Sequence, residues 1–147
     1  MKVFALVALG LVGGLCSSPI PLTAGVQLST TQSAFVGSTE QLVVKIANTG
    51  PPIPQLGLVF RTPDVWFATH RMTDLGGCTV AAESSAFSCG DLAAGETRSY
   101  SFAGVALSAG AFHYELGVRE MVRPFDYVDD HPGGPDVQTW DENVTAP

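Results

Sequence analysis

Residues 77–102 constrain the fold more than any other stretch of the chain. They place Cys78 and Cys89 on either side of a short polar loop, and Gly95-Glu96 follows as a turn just before an alternating, strand-like run. Two cysteines that flank one short loop are well placed to close it covalently. This stretch therefore predicts a β element held together by a disulfide.

A second strand signal lies upstream, where the alternating run 41–47 ends at Asn48-Thr49-Gly50-Pro51. These residues predict a turn, because they tolerate positive φ or, in the case of proline, fix φ at about −65°. From Val26 onward, β-branched and aromatic residues come in short runs, and turn-forming residues separate the runs at intervals of about ten residues. No helical period accompanies them, so the pattern predicts an all-β sandwich.

Strands are predicted at 26–31, 41–47, 56–61, 65–69, 78–81, 86–89, 97–102 and 111–121, with a last one near 137–144. Successive side chains of a strand point to opposite faces of its sheet. We therefore expect Leu42, Val44, Tyr114 and Leu116 to lie in the core, with Glu115 on the opposite face.

The N-terminus has the pattern of a signal peptide, since Met1-Lys2 precedes an apolar and glycine-rich run over residues 3–15. The run is shorter than the roughly 18 to 20 residues that a transmembrane helix needs, so we expect a leader and no membrane span in the mature chain. An uncleaved anchor is the alternative. Cleavage is placed after Ala24, with a cut after Ser18 left open.

Cys16 raises the alternative of a lipoprotein. Bacterial lipidation requires a small residue directly before the cysteine and a leucine three residues before it, but Leu15 and Gly13 occupy these positions. We expect Cys16 to leave with the leader. Cys78 and Cys89 then remain as a pair, which in an oxidising compartment is expected to be a disulfide.

The length and the charge of the chain limit its domain organisation and the partners that it can bind. We expect a leader over 1–24, one β-sandwich domain over 25–123, and an acidic segment over 124–147 that is an appendage or completes the last strand. The net charge is −7 and the few basic residues are scattered. Nucleic acid and anionic membrane surfaces are therefore not expected as partners.

The acidic segment offers candidate ligands for a metal ion. Asp126, Asp129, Asp130 and Asp136 could supply the oxygen atoms that calcium prefers, although their spacing is not that of an EF-hand. A solvated acidic tail explains the same residues, so no cofactor is required and calcium is the alternative. We expect the segment to dock on a partner or to hold calcium.

A second metal hypothesis concerns His70 and Met72. Their imidazole and thioether groups suit copper, and His113 and Met121 are the available further ligands. Copper is the alternative here, since we expect an exposed histidine and a partly buried methionine.

The sequence does not organise a catalytic site. Ser, His and Asp all occur, but no Gly-x-Ser-x-Gly or His-Glu-x-x-His pattern brings them together, and His131 lies in the acidic segment. We therefore expect that the protein is not an enzyme. Trp66, Phe67 and Trp140 could anchor a protein or a glycan. We expect instead that Trp66 is a core residue beside the disulfide.

The motifs resemble those of a known family. Val36-Gly37 before a strand, then QLVVKIANTGPP, GCTV, FSCGDLAAGET and a closing alternating strand resemble bacterial surface repeats of the DUF11 and CARDB type over residues 26–121. The resemblance implies an immunoglobulin-like sandwich with a binding or structural role and without catalysis. Family members usually occur as tandem modules with an Asn-rich closing strand, whereas one module and an acidic segment are expected here.

The sequence thus predicts a secreted, extracellular or cell-surface module without catalytic activity. Its expected partner is a protein or a cell-surface glycan, and it can act as a homo-oligomer or as a subunit of a surface assembly. The rival function is metal binding, by calcium in the acidic segment or by copper at His70 and Met72.

Overall fold

The structure, a computed structural model, describes residues 24–30, 33–121 and 137–147. Ten strands form two sheets, and the only helical segments within these residues are α1 (Trp66–Thr69) and a 3-10 turn (Ala82–Ser84). The strands are β1 (Ala24–Thr30), β2 (Ser33–Phe35), β3 (Thr39–Asn48), β4 (Leu56–Phe60), β5 (His70–Asp74), β6 (Thr79–Ala81), β7 (Ala86–Ser88), β8 (Thr97–Ala106), β9 (Gly110–Glu120) and β10 (Val137–Thr145).

The two sheets pack face to face as a sandwich. One has four strands in the order β1-β3-β8-β5, and the other has six in the order β2-β10-β9-β4-β7-β6. The first five strands alternate between the two sheets, and strands distant in sequence, such as β3 and β8, pair within a sheet. The architecture confirms the predicted all-β, immunoglobulin-like sandwich.

Alternation sets the core as predicted. Leu42, Val44, Tyr114 and Leu116 are fully buried between the sheets. Glu115 lies on the outer face, where its carboxylate is 3.5 Å from the guanidinium of Arg61. The predicted register of β3 and β9 is therefore correct.

The disulfide closes a hairpin at one side of the six-stranded sheet. Cys78 and Cys89 are bonded to each other, as predicted, and both are buried. They flank β6 and β7, which pair with each other, and β7 continues the sheet by pairing with β4.

The end of the acidic segment is a core strand. Residues 137–145 form β10, which pairs antiparallel with β9 and parallel with β2. Trp140 is buried and stacks on Tyr114, with ring centroids 4.9 Å apart. The expectation of an appendage is therefore wrong for these residues, and the predicted last strand near 137–144 is confirmed, since Val137, Trp140, Glu142 and Val144 are buried.

The strand predicted at 65–69 is also wrong. Residues 66–69 form α1, in which the amide of Thr69 donates to the carbonyl of Val65. The turn of helix directs Trp66 into the core, where 2% of its surface is exposed. Burial of a large aromatic side chain outweighs the strand propensity of this short run, in which Ala68 alone is not a strand former.

None of the helices in residues 24–30, 33–121 and 137–147 has the length and hydrophobicity of a membrane span.

Candidate functional site

The two loops that contain the turn motifs of the sequence meet at one end of the sandwich. One includes Asn48-Thr49-Gly50-Pro51 at the end of β3, and the other includes Gly95-Glu96 just before β8. Ile53 and Leu92 join them, since the amide of each donates to the carbonyl of the other at 2.8 and 2.9 Å. The loops are therefore held by backbone hydrogen bonds of the kind found in a sheet.

Asn48 connects the same two loops through its side chain. Its amide nitrogen donates to the carbonyls of Pro51 and Ala93 at 2.9 and 3.0 Å, and its amide oxygen accepts from Gly50 at 3.0 Å. The residue is 2% exposed. Asn48 thus uses a polar side chain to satisfy buried backbone groups, which explains its place at the start of the predicted turn.

A groove of about 650 Å³ lies between these loops. We call it the loop groove, and it is lined by Pro52, Ile53, Pro54, Asp91, Leu92, Ala93, Glu96 and Arg98. Ile53 and Leu92 are buried beneath it, whereas Pro52, Pro54 and Ala93 are exposed. The groove therefore combines an apolar surface with a charged side.

An ion pair forms that charged side. Arg98 Nε donates to Glu96 Oε1 at 2.9 Å, and the amide of Ala93 donates to Glu96 Oε2 at 2.8 Å. The Ala93 amide and then Arg98 hold the pKa of Glu96 below its usual value. Gly95 has φ +72°, a conformation that favours glycine, so the Gly95-Glu96 turn presents Glu96 to both donors.

A polar cluster lies inside the sandwich at His70. Its Nε2 is 3.4 Å from Glu142 Oε1, and both side chains are almost fully buried. Its Nδ1 lies 3.0 Å from Thr69 Oγ1 and 3.1 Å from the carbonyl oxygen of Trp66. A Cβ on Gly104 would lie 2.8 Å from the Cβ of His70, so a strand glycine makes room for the imidazole.

Tyr114 extends this cluster, because its hydroxyl lies 2.7 Å from Thr69 Oγ1. Burial raises the pKa of Tyr114, and the nearby Glu142 carboxylate raises it further against the effect of the Thr69 hydrogen bond. Glu40 is a further buried carboxylate, and one of its oxygens contacts the Ser38 hydroxyl.

The structure corrects the expectation of an exposed His70. It is 1% exposed, stacks on Trp66 with ring centroids 4.4 Å apart, and faces Glu142. Met72 lies two residues further along β5 and is half-buried, as expected. His113 instead lies outside, where its Nδ1 is 2.6 Å from Asp141 Oδ1.

His113 also borders a shallow depression on the outer face of the six-stranded sheet. This depression has a volume of about 410 Å³. The backbone amide of His113 donates to Asp64 Oδ2 at 2.9 Å. The side chains of His113 and Asp141 are 56% and 85% exposed, so water screens the pair.

The structure separates the two histidines of the copper hypothesis and does not describe the calcium candidates. His70 is buried between the sheets, and His113 is exposed on the outer face. Asp126, Asp129, Asp130, Asp136 and His131 lie outside the described residues. Among the residues that are described, no group of three or more His, Cys, Asp or Glu side chains is arranged to hold a metal ion.

The structure confirms Trp66 as a core residue, and the other two candidate anchors are also buried or half-buried. Trp66 and Trp140 are buried, and Phe67 is half-buried against Phe60 and Phe87. The buried carboxylates Glu40 and Glu142 were missed from the sequence. Strand alternation contains the signal, since Glu40 precedes Leu42 by two positions and Glu142 follows Trp140 by two.

Solved structures with the same architecture are CARDB domains. The solution structure of the CARDB domain of PF1109 from Pyrococcus furiosus has a TM-score of 0.55 and 15% identity, and the match covers 85% of this chain and 96% of that chain. The crystal structure of that domain in complex with di-metal ions has a TM-score of 0.53 and 13% identity over 86% and 96% of the two chains.

Sequence comparison adds no relative: neither a protein-family model nor a curated protein matches. The structural likeness nevertheless covers nearly all of the CARDB domain. This chain therefore has the immunoglobulin-like β-sandwich fold of the CARDB domain, as its motifs predicted.

Proposed function

We propose that the protein is a secreted, non-catalytic interaction module that binds a partner protein at the loop groove, alone or as a subunit of a cell-surface assembly. The observation that carries this proposal is the construction of the groove. Backbone hydrogen bonds between Ile53 and Leu92 and the side chain of Asn48 fix both loops, while Pro52, Pro54 and Ala93 stay exposed.

A preorganised groove binds with a smaller entropic cost than loops that must first be ordered. Its apolar surface suits an aliphatic or aromatic side chain of a protein, and the Glu96–Arg98 pair suits a polar group beside it. None of the residues that line the loop groove is aromatic. This favours a protein over a glycan, since sugar rings are commonly held against aromatic faces.

The experiment is photo-crosslinking on the surface of the producing cell. A photo-crosslinking amino acid replaces Ala93 at the groove, and the matched control replaces Ser101, which is exposed on the outer face of β8. We expect a discrete protein adduct from position 93 and not from position 101. A glycosidase-sensitive adduct would select the glycan, and equal labelling at both positions would contradict binding at the groove.

A second candidate function is calcium binding by Asp126, Asp129, Asp130 and Asp136. Carboxylate oxygens are the ligands that calcium prefers. The solved CARDB domain in complex with di-metal ions supports testing it. Titration calorimetry with calcium should show binding that Asp129→Asn with Asp130→Asn abolishes. Absence of heat with the wild-type protein would reject it.

A further inference from the structure

The four edges of the two sheets differ in how well they resist the addition of another strand. β2 and β6 are edge strands of three residues each. β5 carries Arg71 and Asp74, and its register is irregular between Met72 and Asp74. Short length, charge and irregular pairing are the usual features that protect an edge.

The remaining edge strand, β1, has none of these features. Its seven residues contain no charged side chain and no proline. They pair with β3 in unbroken register, from Ala24 opposite Asn48 to Thr30 opposite Leu42. Cleavage of the leader after Ala24 would leave residues 25–30 of this strand and would place the amino group of the chain on Gly25, at the end of the edge. In the described part of the chain, no strand pairs with the other side of β1. The edge therefore presents backbone donors and acceptors to any extended segment that fits.

We propose that β1 pairs antiparallel with β1 of a second copy of this chain, which joins two four-stranded sheets into one continuous sheet. This inference rests on the interaction role proposed above and names a second copy as a further partner, at a surface distinct from the loop groove. A twofold axis between the two β1 strands gives an interface in which both copies use the same surface, so the assembly stops at a dimer.

The charge distribution favours a second copy at this edge. The chain carries a net charge of −7, so two copies have like net charge. The outer face of β1, β3 and β8 carries no acidic side chain. Its outward side chains are those of Gln27, Ser29, Thr39, Gln41, Val43, Lys45, Ala47, Thr97, Ser99, Ser101, Ala103 and Val105.

The nearest like charges across the proposed axis are the two copies of Lys45, which lies opposite Gln27 on β3. Three strand spacings separate them, or about 14 Å at about 4.8 Å per spacing. That separation exceeds the Debye length of about 8 Å at physiological ionic strength. The half-buried Leu28 packs against the core from this edge, and an added strand would cover it further.

The test compares two double variants that change the same rows of the same face. Gln27→Lys with Ser29→Lys places two lysines on the edge strand β1. Ser99→Lys with Ser101→Lys places two lysines on the interior strand β8. Gln27 and Ser99 both lie opposite Lys45, and Ser29 and Ser101 both lie opposite Val43. Both variants therefore add the same charge beside the same neighbours.

Sedimentation velocity over a wide range of protein concentration measures the dimer, and thermal melting shows that each variant is folded. We expect a concentration-dependent dimer for the wild-type chain. The β1 variant should weaken dimerisation by about tenfold or more, and the β8 variant should leave it unchanged. Amides of β1 should exchange more slowly with solvent at high concentration.

A wild-type chain that stays monomeric at every concentration would overturn the proposal. Equal weakening by both variants would place the contact on the sheet face and overturn the edge assignment. The crosslink at position 93 does not depend on β1. Its persistence in the β1 variant would separate failure of this proposal from failure of groove binding.

Discussion

The imidazole of His70 and the carboxylate of Glu142 lie 3.4 Å apart in the interior and connect the two sheets. His70 lies on β5 of the four-stranded sheet, and Glu142 lies on β10 of the six-stranded sheet. A charge between packed sheets is costly unless a partner compensates it. Among the described residues, neither His70 Nε2 nor the carboxylate oxygens of Glu142 have a hydrogen-bond partner, so their proximity is the compensation that each group receives.

We expect His70→Leu to lower the free energy of unfolding by about 3 to 5 kcal/mol, because the change leaves the Glu142 carboxylate buried without its partner. Adding Glu142→Leu should recover part of that loss. Urea unfolding of the two single variants and the double variant measures the coupling. The control is His113→Leu, which removes an exposed pair with Asp141 and should cost less than about 1 kcal/mol. Equal costs at His70 and His113 would contradict the coupling.

Loss of the disulfide should also destabilise the domain. Replacing Cys78 and Cys89 with serine removes the bond that closes the hairpin of β6 and β7. We expect a cost of about 2 to 5 kcal/mol in the free energy of unfolding. Wild-type protein treated with a reductant serves as the control and should match the double variant. Two reactive thiols in the untreated wild-type protein would refute the disulfide.

Two neighbouring residues on β9 test the faces of the sheet. Leu116 is fully buried, and Glu115 is partly exposed beside Arg61. We expect Leu116→Ala to cost about 2 to 5 kcal/mol through lost burial and the cavity that remains. Glu115→Ala should cost less than about 1 kcal/mol. Denaturant unfolding compares them, and similar costs would mean that the register is shifted by one residue.

Asn48 should be a strong determinant of the loop groove. Asn48→Ala leaves the carbonyls of Pro51 and Ala93 without their donor, so we expect a cost of about 1 to 3 kcal/mol. The control is Gln41→Ala on the same strand, whose side chain is exposed. Urea unfolding and the crosslink yield at position 93 should both decrease for Asn48→Ala alone. An unchanged yield would show that Asn48 does not hold the groove.

The low pKa of Glu96 predicts a stability difference that depends on pH. A carboxyl group with a lower pKa in the folded state stabilises the fold above its unfolded pKa, and the contribution disappears as pH falls through the folded value. Wild-type protein should therefore exceed Glu96→Gln in melting temperature at neutral pH, and the difference should vanish in acid. Glu83→Gln, an exposed residue of the 3-10 turn, serves as the control. A difference that persists in acid would contradict the assignment.

The sequence predicts best where strand alternation is regular. β3 and β9 each place apolar side chains at alternate positions, and their burial follows this period. β10 departs from it, because Val137 lies three positions before Trp140 and the acidic Glu142 occupies the buried position between Trp140 and Val144. β2 has only three residues, and its pairing with β10 depends on residues distant in sequence. β5 was not predicted, because its buried position is occupied by the polar His70, which Arg71 follows. Local patterns also do not reveal that Glu142 faces His70.

The candidate site was predictable in its parts and not in its assembly. Both loops contain turn residues that identify them in the sequence. Their contact at Ile53 and Leu92 is a tertiary interaction, which arises only when β3, β4 and β8 are in place. Sequence patterns describe short segments, whereas the groove exists because two such segments meet.

The parallel pairing of β2 with β10 has a consequence for the timing of folding. The hydroxyl of Thr145 donates to the carbonyl of Ala34 across 111 positions of the chain. β10 is synthesised after the strands that it pairs with, so β9 lacks its neighbour β10 until synthesis has passed residue 145. Contacts this distant in sequence make folding slow, because an extended loop must close before they form. A nascent chain should therefore remain incompletely folded, with the edge of β9 open, until residue 145 has emerged from the ribosome.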